Sequence, residues 1–205
     1  MRDRDVRVEL HRQLDREHGG DMNTRVVDEL GLRHGARRID VAVVNGSLHG
    51  YEIKSDSDTL GRLAGQVEVY SAVLDLATLV VGERLAAEAR KHIPKWWGLM
   101  IASEDSANKT TIIGKRSPKM NKHIDPVALA ELLWRSEVVE LLSRMGATPK
   151  LLRSPRAILY KELVSSMPID QLRDAVRARL KMRKGWRDRE QPLLGAYSSQ
   201  PTPRC

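Results

Sequence analysis

The chain of 205 residues predicts an α/β fold with an all-helical C-terminal region. Three observations point there. Residues 37–55 alternate between apolar and small or polar side chains and fold back at Asn45-Gly46-Ser47, a hairpin signal. Two short, continuous apolar runs, 76–81 and 98–102, lie between stretches of helical period, as buried strands of a layered α/β protein do. Beyond Asp125-Pro126 only the helical period remains.

In chain order, Leu10 and Leu14 behind Val6 and Val8 predict a first helix that ends at Gly19-Gly20. Thr24 is placed to cap a second helix over RVVDELGL, stopping near Gly31. The hairpin follows, with arms 37–44 and 48–54. Ser57 or Asp58 caps a third helix through Leu60, Leu63, Val67, Val69 and Val73, which runs into the strand at 76–81. A helix over 83–92 is stopped by Pro94, and the strand at 98–102 precedes an edge strand at 110–113. A loop dense in cations, GKRSPKMNKH, comes next. Helices are expected over 127–145, 155–167 and 168 to about 184. The expected division is a core over 1–124, a helical region over 125–184 and a flexible tail rich in Pro, Ser and Gly over 185–205.

Composition narrows the function. Hydrophobic residues make up 41% and charged ones 30%, the balance of a globular protein. No apolar run approaches a bilayer span, so no membrane partner is expected. The N-terminus, MRDRDVRVELHRQ, has no apolar run of a secretory signal, and cytoplasm is the default. The one cysteine, Cys205, excludes an intrachain disulfide and thiolate metal sites, and the six histidines show no metal-ligand pairing, so any metal is expected on oxygens. A net charge of +8 favours a polyanionic partner such as nucleic acid.

The informative segment is RRIDVAVVNGSLHGYEIKSD. With a three-residue turn, Val44 opposes Leu48 and, counting outward, Asp40 opposes Glu52, so that both carboxylates share one face with Lys54. Ala42, Val44, Leu48 and Gly50 complete that face; Ile39, Val41, Val43, Tyr51 and Ile53 take the other. A two-residue turn would destroy the alignment. Two carboxylates about 5 Å apart repel by roughly 3 kcal/mol at an effective dielectric near 20. A divalent cation would compensate, and oxygens of Asp40 and Glu52 with the Ile53 backbone carbonyl suit Mg²⁺ or Mn²⁺. Lys54 would then orient or help deprotonate an attacking water and stabilise charge at phosphorus. For such a trio in isolation, simple neutralisation of two surface acids is the better explanation. Context shifts the weight: Gln66 and Tyr70, four apart on one helical face, can hold phosphate or water, and Glu29 on the expected second helix can add a third carboxylate or simply face solvent.

The order Glu29, Asp40, Glu52-Ile53-Lys54 and Gln66-Val-Glu-Val-Tyr70 resembles the PD-(D/E)XK nuclease superfamily, in particular its RecB-like branch with a QxxxY helix; a small bacterial family within it is expected. The resemblance spans roughly residues 24–82. It implies a restriction-endonuclease-like mixed sheet flanked by helices and metal-dependent hydrolysis of phosphodiester bonds, most plausibly in DNA. Asp40 and Glu52 would be the metal-binding acids, Lys54 the catalytic lysine, Glu29 the acid of the first helix, and Gln66 with Tyr70 the substrate-side pair. The sequence has Ile-Asp for the Pro-Asp of the name. The ten residues between Glu29 and Asp40 leave little room for the strand that the family places between its first helix and its first acid. A nucleic-acid-binding or adaptor protein of the same fold without turnover is the competing class.

Weaker signals accompany these. Lys115, Arg116, Lys119 and Lys122 are candidates for substrate backbone contact. The cations of the last helix, Arg173, Arg177, Arg179, Lys181, Arg183 and Lys184, fit either such a contact or a solvated face. The C-terminal helices could also join a second copy or a protein partner. Of Trp96 and Trp97, one is expected in the core and the other over a domain edge. Asp56 and Asp58, ahead of a helix, are read as capping residues.

Overall fold

The computed structural model describes residues 1–183; Lys184 and the expected tail lie outside the described residues. The fold is mixed α/β. A six-stranded sheet carries helix α1 on one face and the other helices on the opposite face, with the C-terminal third helical. Helix α1 (Asp3–His18) exists because Val6, Leu10 and Leu14 recur every four residues and all bury against the sheet, each worth about 1.5–3 kcal/mol of transfer energy as an upper range. It ends where the Gly19 N–H donates to the Asp15 carbonyl.

The strands stand in chain order: β1 (Arg25–Leu32), β2 (Arg37–Val44), β3 (Leu48–Lys54), β4 (Leu76–Gly82), β5 (Gly98–Glu104) and β6 (Thr110–Arg116). Pairing is antiparallel except for β3–β4 and β4–β5, which are parallel. The parallel centre is covered on both faces, which is why β4 reads as an unbroken apolar run rather than an alternating one. Helix α2 (Leu63–Ser71) crosses from β3 to β4, and α3 (Glu83–His92) from β4 to β5. Asp56 caps α3, not the nearer α2: its Oδ1 accepts the Arg84 N–H at 3.1 Å.

One expected element is corrected. RVVDELGL is strand β1, not a helix, and Thr24 caps nothing helical. Its buried positions are Val27, Leu30 and Leu32, a spacing of three and then two, because Glu29 takes φ 56 and interrupts the alternation. That broken period imitates a helix. The correction also supplies the strand between the first helix, α1, and the strand of Asp40.

The helical region starts at Pro126 as expected but is more segmented. It comprises α4 (Pro126–Ala130), α5 (Arg135–Arg144), α6 (Pro149–Leu152), α7 (Arg156–Ser166) and α8 (Ile169–Met182). Its buried side chains, among them Leu133, Val138, Leu163 and Val176, belong to the same contiguous core as Leu79 and Val81 of the sheet. Trp97 is in that core, stacked 6.1 Å from Tyr70, while Trp96 is only partly buried and meets it edge-on. Among the described residues no helix is long and apolar enough to cross a membrane.

Candidate active site

The turn between β2 and β3 fixes the site. The Asn45 N–H donates to the Ser47 carbonyl and the Ser47 N–H to the Asn45 side-chain oxygen, each at 3.0 Å, so the turn uses three residues and Val44 pairs with Leu48. The ladder runs outward to Val41–Tyr51 and stops there, one step short of Asp40 and Glu52. Asp40 Oδ2 instead accepts the Ile53 N–H at 2.8 Å. The alternation of β2 breaks at the same place: Ile39 joins the core on the α2 side, not the face of Val41 and Val43 expected for it. This distortion lets the Asp40 carboxylate fold over the end of β3.

A cavity of about 340 Å³ opens at the C-terminal end of β3, lined by Asp40, Glu52, Ile53, Lys54 and Gln66, with Asp3 and Asp58 at its edge. Glu52 is 2% exposed. Its Oε1 accepts from Lys54 Nζ and Gln66 Nε2, and its Oε2 lies 2.7 Å from the Tyr70 hydroxyl. That hydroxyl also reaches the Arg38 carbonyl, and with one proton it donates to only one of the two at a time. Burial, followed by repulsion from Asp40, pushes the Glu52 carboxyl above the usual carboxylate range; Lys54 and Tyr70 pull the other way. Burial also raises the Tyr70 phenol, which therefore remains protonated. Lys54, 5% exposed, is a buried cation that the carboxylate must neutralise.

Behind Asp40 stands Arg7 of α1. Its guanidinium donates to the Asp40 carbonyl at 2.8 Å and to Oδ1 at 3.1 Å, and it lies 3.4 Å from Glu29 Oε1. Burial opposes the Arg7 charge, but Asp40, Asp3, Glu29 and Asp28 outweigh it and its pKa is raised. Glu29 is thus on a strand rather than a helix and turns its carboxylate to Arg7; it does not line the cavity, so the expected third acid is not delivered. Among the described residues no group of three or more His, Cys, Asp or Glu side chains converges as a metal cage.

The donor set nonetheless fits a hard cation that takes one or two carboxylates and keeps water and substrate oxygens. Each Asp40 oxygen uses one lone pair within the protein and retains another. Gln66, which also lines the cavity, has its Oε1 buried without a hydrogen-bond partner.

The expected basic loop is not at this cavity. Lys115 and Arg116 line a groove of about 590 Å³ at the opposite end of β3, beside His49 and Tyr51, and Arg116 is spent on the carbonyls of Trp97 and Pro94. Lys119 and Lys122 are exposed and do not line the acidic cavity either. Besides Lys54, the cations that do are Arg37, Arg38 and Arg62, all three exposed and without an ion pair among the described residues. Sequence reading missed them, although Arg37 and Arg38 immediately precede Ile39-Asp40. Arg173 and Arg177 of α8 are neither solvated nor available to a ligand: both hold the buried Asp75.

Fold and site together define a mixed α/β protein with a buried acid–lysine pair at a cation-rimmed cavity. By sequence the chain belongs to the family of Bacteriophage P4 protein cII, whose model matches residues 2–200. It is similar to Protein cII of Enterobacteria phage P4, with 29% identity over 151 residues, which cover 72% of this chain and 55% of that protein. The chain therefore spans little more than half the length of that curated relative. No solved structure matches.

Proposed function

We propose that the chain is a metal-dependent nuclease of the PD-(D/E)XK type, hydrolysing phosphodiester bonds of nucleic acid, DNA foremost, in a bacterial cytoplasm. The observation that carries this reading is the meeting of Asp40 and Glu52 in one cavity with Lys54 and the unpartnered Gln66 Oε1. Mg²⁺ or Mn²⁺ would be held by Asp40 and Glu52, with the Ile53 carbonyl and Gln66 alongside. Bound there, the cation supplies Lewis acidity at the phosphate and makes water a better nucleophile at neutral pH.

The chain's own groups do the rest. Lys54, released from Glu52, orients the attacking water by donating a hydrogen bond and offsets the negative charge that grows on the phosphate oxygens. Arg37, Arg38 and Arg62 hold the flanking phosphates. Arg7 fixes the Asp40 carboxylate, and Tyr70 fixes Glu52, so that neither acid has to be ordered when substrate arrives. A homodimer or protein partner on the C-terminal helices belongs to the same proposal, with Met145, Ile158 and Met182 among the exposed apolar side chains there.

The test is cleavage of plasmid and single-stranded DNA with Mg²⁺ or Mn²⁺. Wild type is expected to cleave, and Asp40→Asn, Glu52→Gln and Lys54→Ala each to lose on the order of a hundredfold or more. Activity that survives in these variants removes the assigned roles. Millimolar Mn²⁺ should raise the melting temperature of wild type but not of Asp40→Asn. Binding of DNA without product under either metal would identify the adaptor alternative.

A further inference from the structure

The acidic cavity does not end at Asp40. Gly35, in the short turn Arg33–Gly35 between β1 and β2, lines it and also lines a second groove of about 340 Å³ floored by the helical region. At Gly35 the backbone has φ 90, and a Cβ placed there would meet nothing within 4 Å, so the passage over it is open. In the second groove stands Trp134, 56% exposed at the start of α5. Large exposed indoles are uncommon, and this one is held rigid. The Arg183 guanidinium lies 4.3 Å from the ring centroid and covers one face; Glu137 grips that guanidinium, its Oε1 2.9 Å from Nε and its Oε2 2.6 Å from Nη2. Arg135 and Arg156 line the same groove, where Glu131 is the one acid among the described lining residues. Arg156 is exposed and has no ion pair among the described residues.

From this continuity we infer that the nucleic acid is engaged as a single strand, which runs from the acidic cavity over Gly35 into the second groove and stacks an unpaired base on the exposed indole of Trp134. The inference rests on the proposed nuclease reading and specifies its substrate. Backbone charge is met by Arg37, Arg38 and Arg62 at the cavity and by Arg156 beyond Gly35, where Arg135 is held on the Leu152 and Ser154 carbonyls. An indole face accepts any base but only one that is not stacked in a duplex. The basic loop at Lys115 lies at the far end of β3 and takes no part.

The test is binding of the full-length protein to a fluorescently labelled single-stranded oligonucleotide in EDTA, where no cleavage intrudes, with the matching duplex measured in parallel. Wild type should prefer the single strand. Trp134→Ala should weaken that binding by about tenfold, as expected for one lost base stack, with little change on the duplex. Trp134→Phe should retain most of it, which a merely structural loss would not predict. Arg156→Ala should weaken binding and make it less salt-dependent. Equal binding of Trp134→Ala and wild type, or an equal loss on single strand and duplex, overturns the inference. Because no turnover is read, single-strand binding that depends on Trp134 in a protein that never cleaves would leave this inference standing and remove the nuclease reading.

Discussion

Glu52 and Asp75 are carboxylates of similar burial, 2% and 3% exposed, some twenty residues apart in the chain, and their surroundings differ in kind. Asp75 Oδ2 accepts the Leu48 N–H at 2.7 Å and an Arg177 N–H at 3.0 Å, and Oδ1 lies 3.2 Å from Arg173 Nε. Its carbonyl takes the Asn121 N–H, and Asn121 in turn bonds the carbonyls of Ser71 and Leu74. Two guanidiniums face one carboxylate, and Asp75 lines none of the grooves described above. This is a rivet between α8 and the sheet. At Glu52 one lysine answers the carboxylate, Asp40 beside it is held by Arg7, and the group opens on a cavity. A buried carboxylate faced by two guanidiniums and shut off from open space holds structure together; one with a single buried cation and a cavity beside it is prepared for something else.

The comparison breaks most sharply by mutation. Asp75→Ala strands two arginines in a partly buried site and is expected to cost about 3–5 kcal/mol in urea unfolding. Glu52→Gln should cost less, about 1–2 kcal/mol, because the buried Lys54 loses its countercharge but keeps an acceptor and lines a cavity open to water. The amide oxygen still accepts from Lys54 and Gln66, its NH₂ can donate to the Tyr70 oxygen, and the Tyr70 proton then goes to the Arg38 carbonyl. Repulsion from Asp40 disappears as well. If the two substitutions were equally destabilising, Glu52 would be a rivet like Asp75 and its place in a catalytic site would lose its physical basis.

A smaller effect tests the packing near the two carboxylates. Gly50 of β3 lies two residues before Glu52 and packs on Leu74, next to Asp75 in the chain; a Cβ there would lie 2.6 Å from Leu74 Cδ1 and 3.2 Å from Ile39 Cγ2. Gly50→Ala is expected to cost about 1–3 kcal/mol through overpacking, measured by the same unfolding. Cleavage should change little if the site is as rigid as its hydrogen bonds suggest.

The hairpin was legible as far as Val41–Tyr51, because a three-residue turn and a period of two fix which side chains meet; beyond that pair the period breaks, and Asp40 joins the end of β3 through the Ile53 N–H, which counting along the strands does not show. Strand β1 was not legible: the φ 56 of Glu29 is a tertiary accommodation to the Arg7 cluster, and it converts an alternating pattern into a helical one. The same blindness hid Arg7, whose contacts with Asp40 span 33 positions and leave no local trace. Arg173 and Arg177 misled for the opposite reason. Spacing puts them on one helix face, but only the fold reveals that the face is turned to Asp75. Charge patterns report that a surface exists and not what covers it.

A pH-dependent effect sets the acidic cavity against the groove at the other end of β3, where His49 bonds the Thr78 hydroxyl through Nε2 at 2.9 Å and stacks on Tyr51 at 4.2 Å. Burial lowers the His49 pKa from 6.5 to about 4, so the folded protein keeps the imidazole neutral where the unfolded chain would protonate it. The unfolded state therefore binds more protons between those values. The stability that depends on neutral His49 is whole above pH 6.5 and is lost as pH falls toward 4, by up to roughly 3 kcal/mol. Glu52 has the opposite sign: its raised pKa makes the folded state the better proton acceptor, so acidification through its titration relieves cost instead of adding it. His49→Gln should flatten the loss of stability between pH 6.5 and 4, and Glu52→Gln should steepen it, in thermal melts across that range. Parallel curves for both variants would mean that neither group carries the perturbation its burial implies.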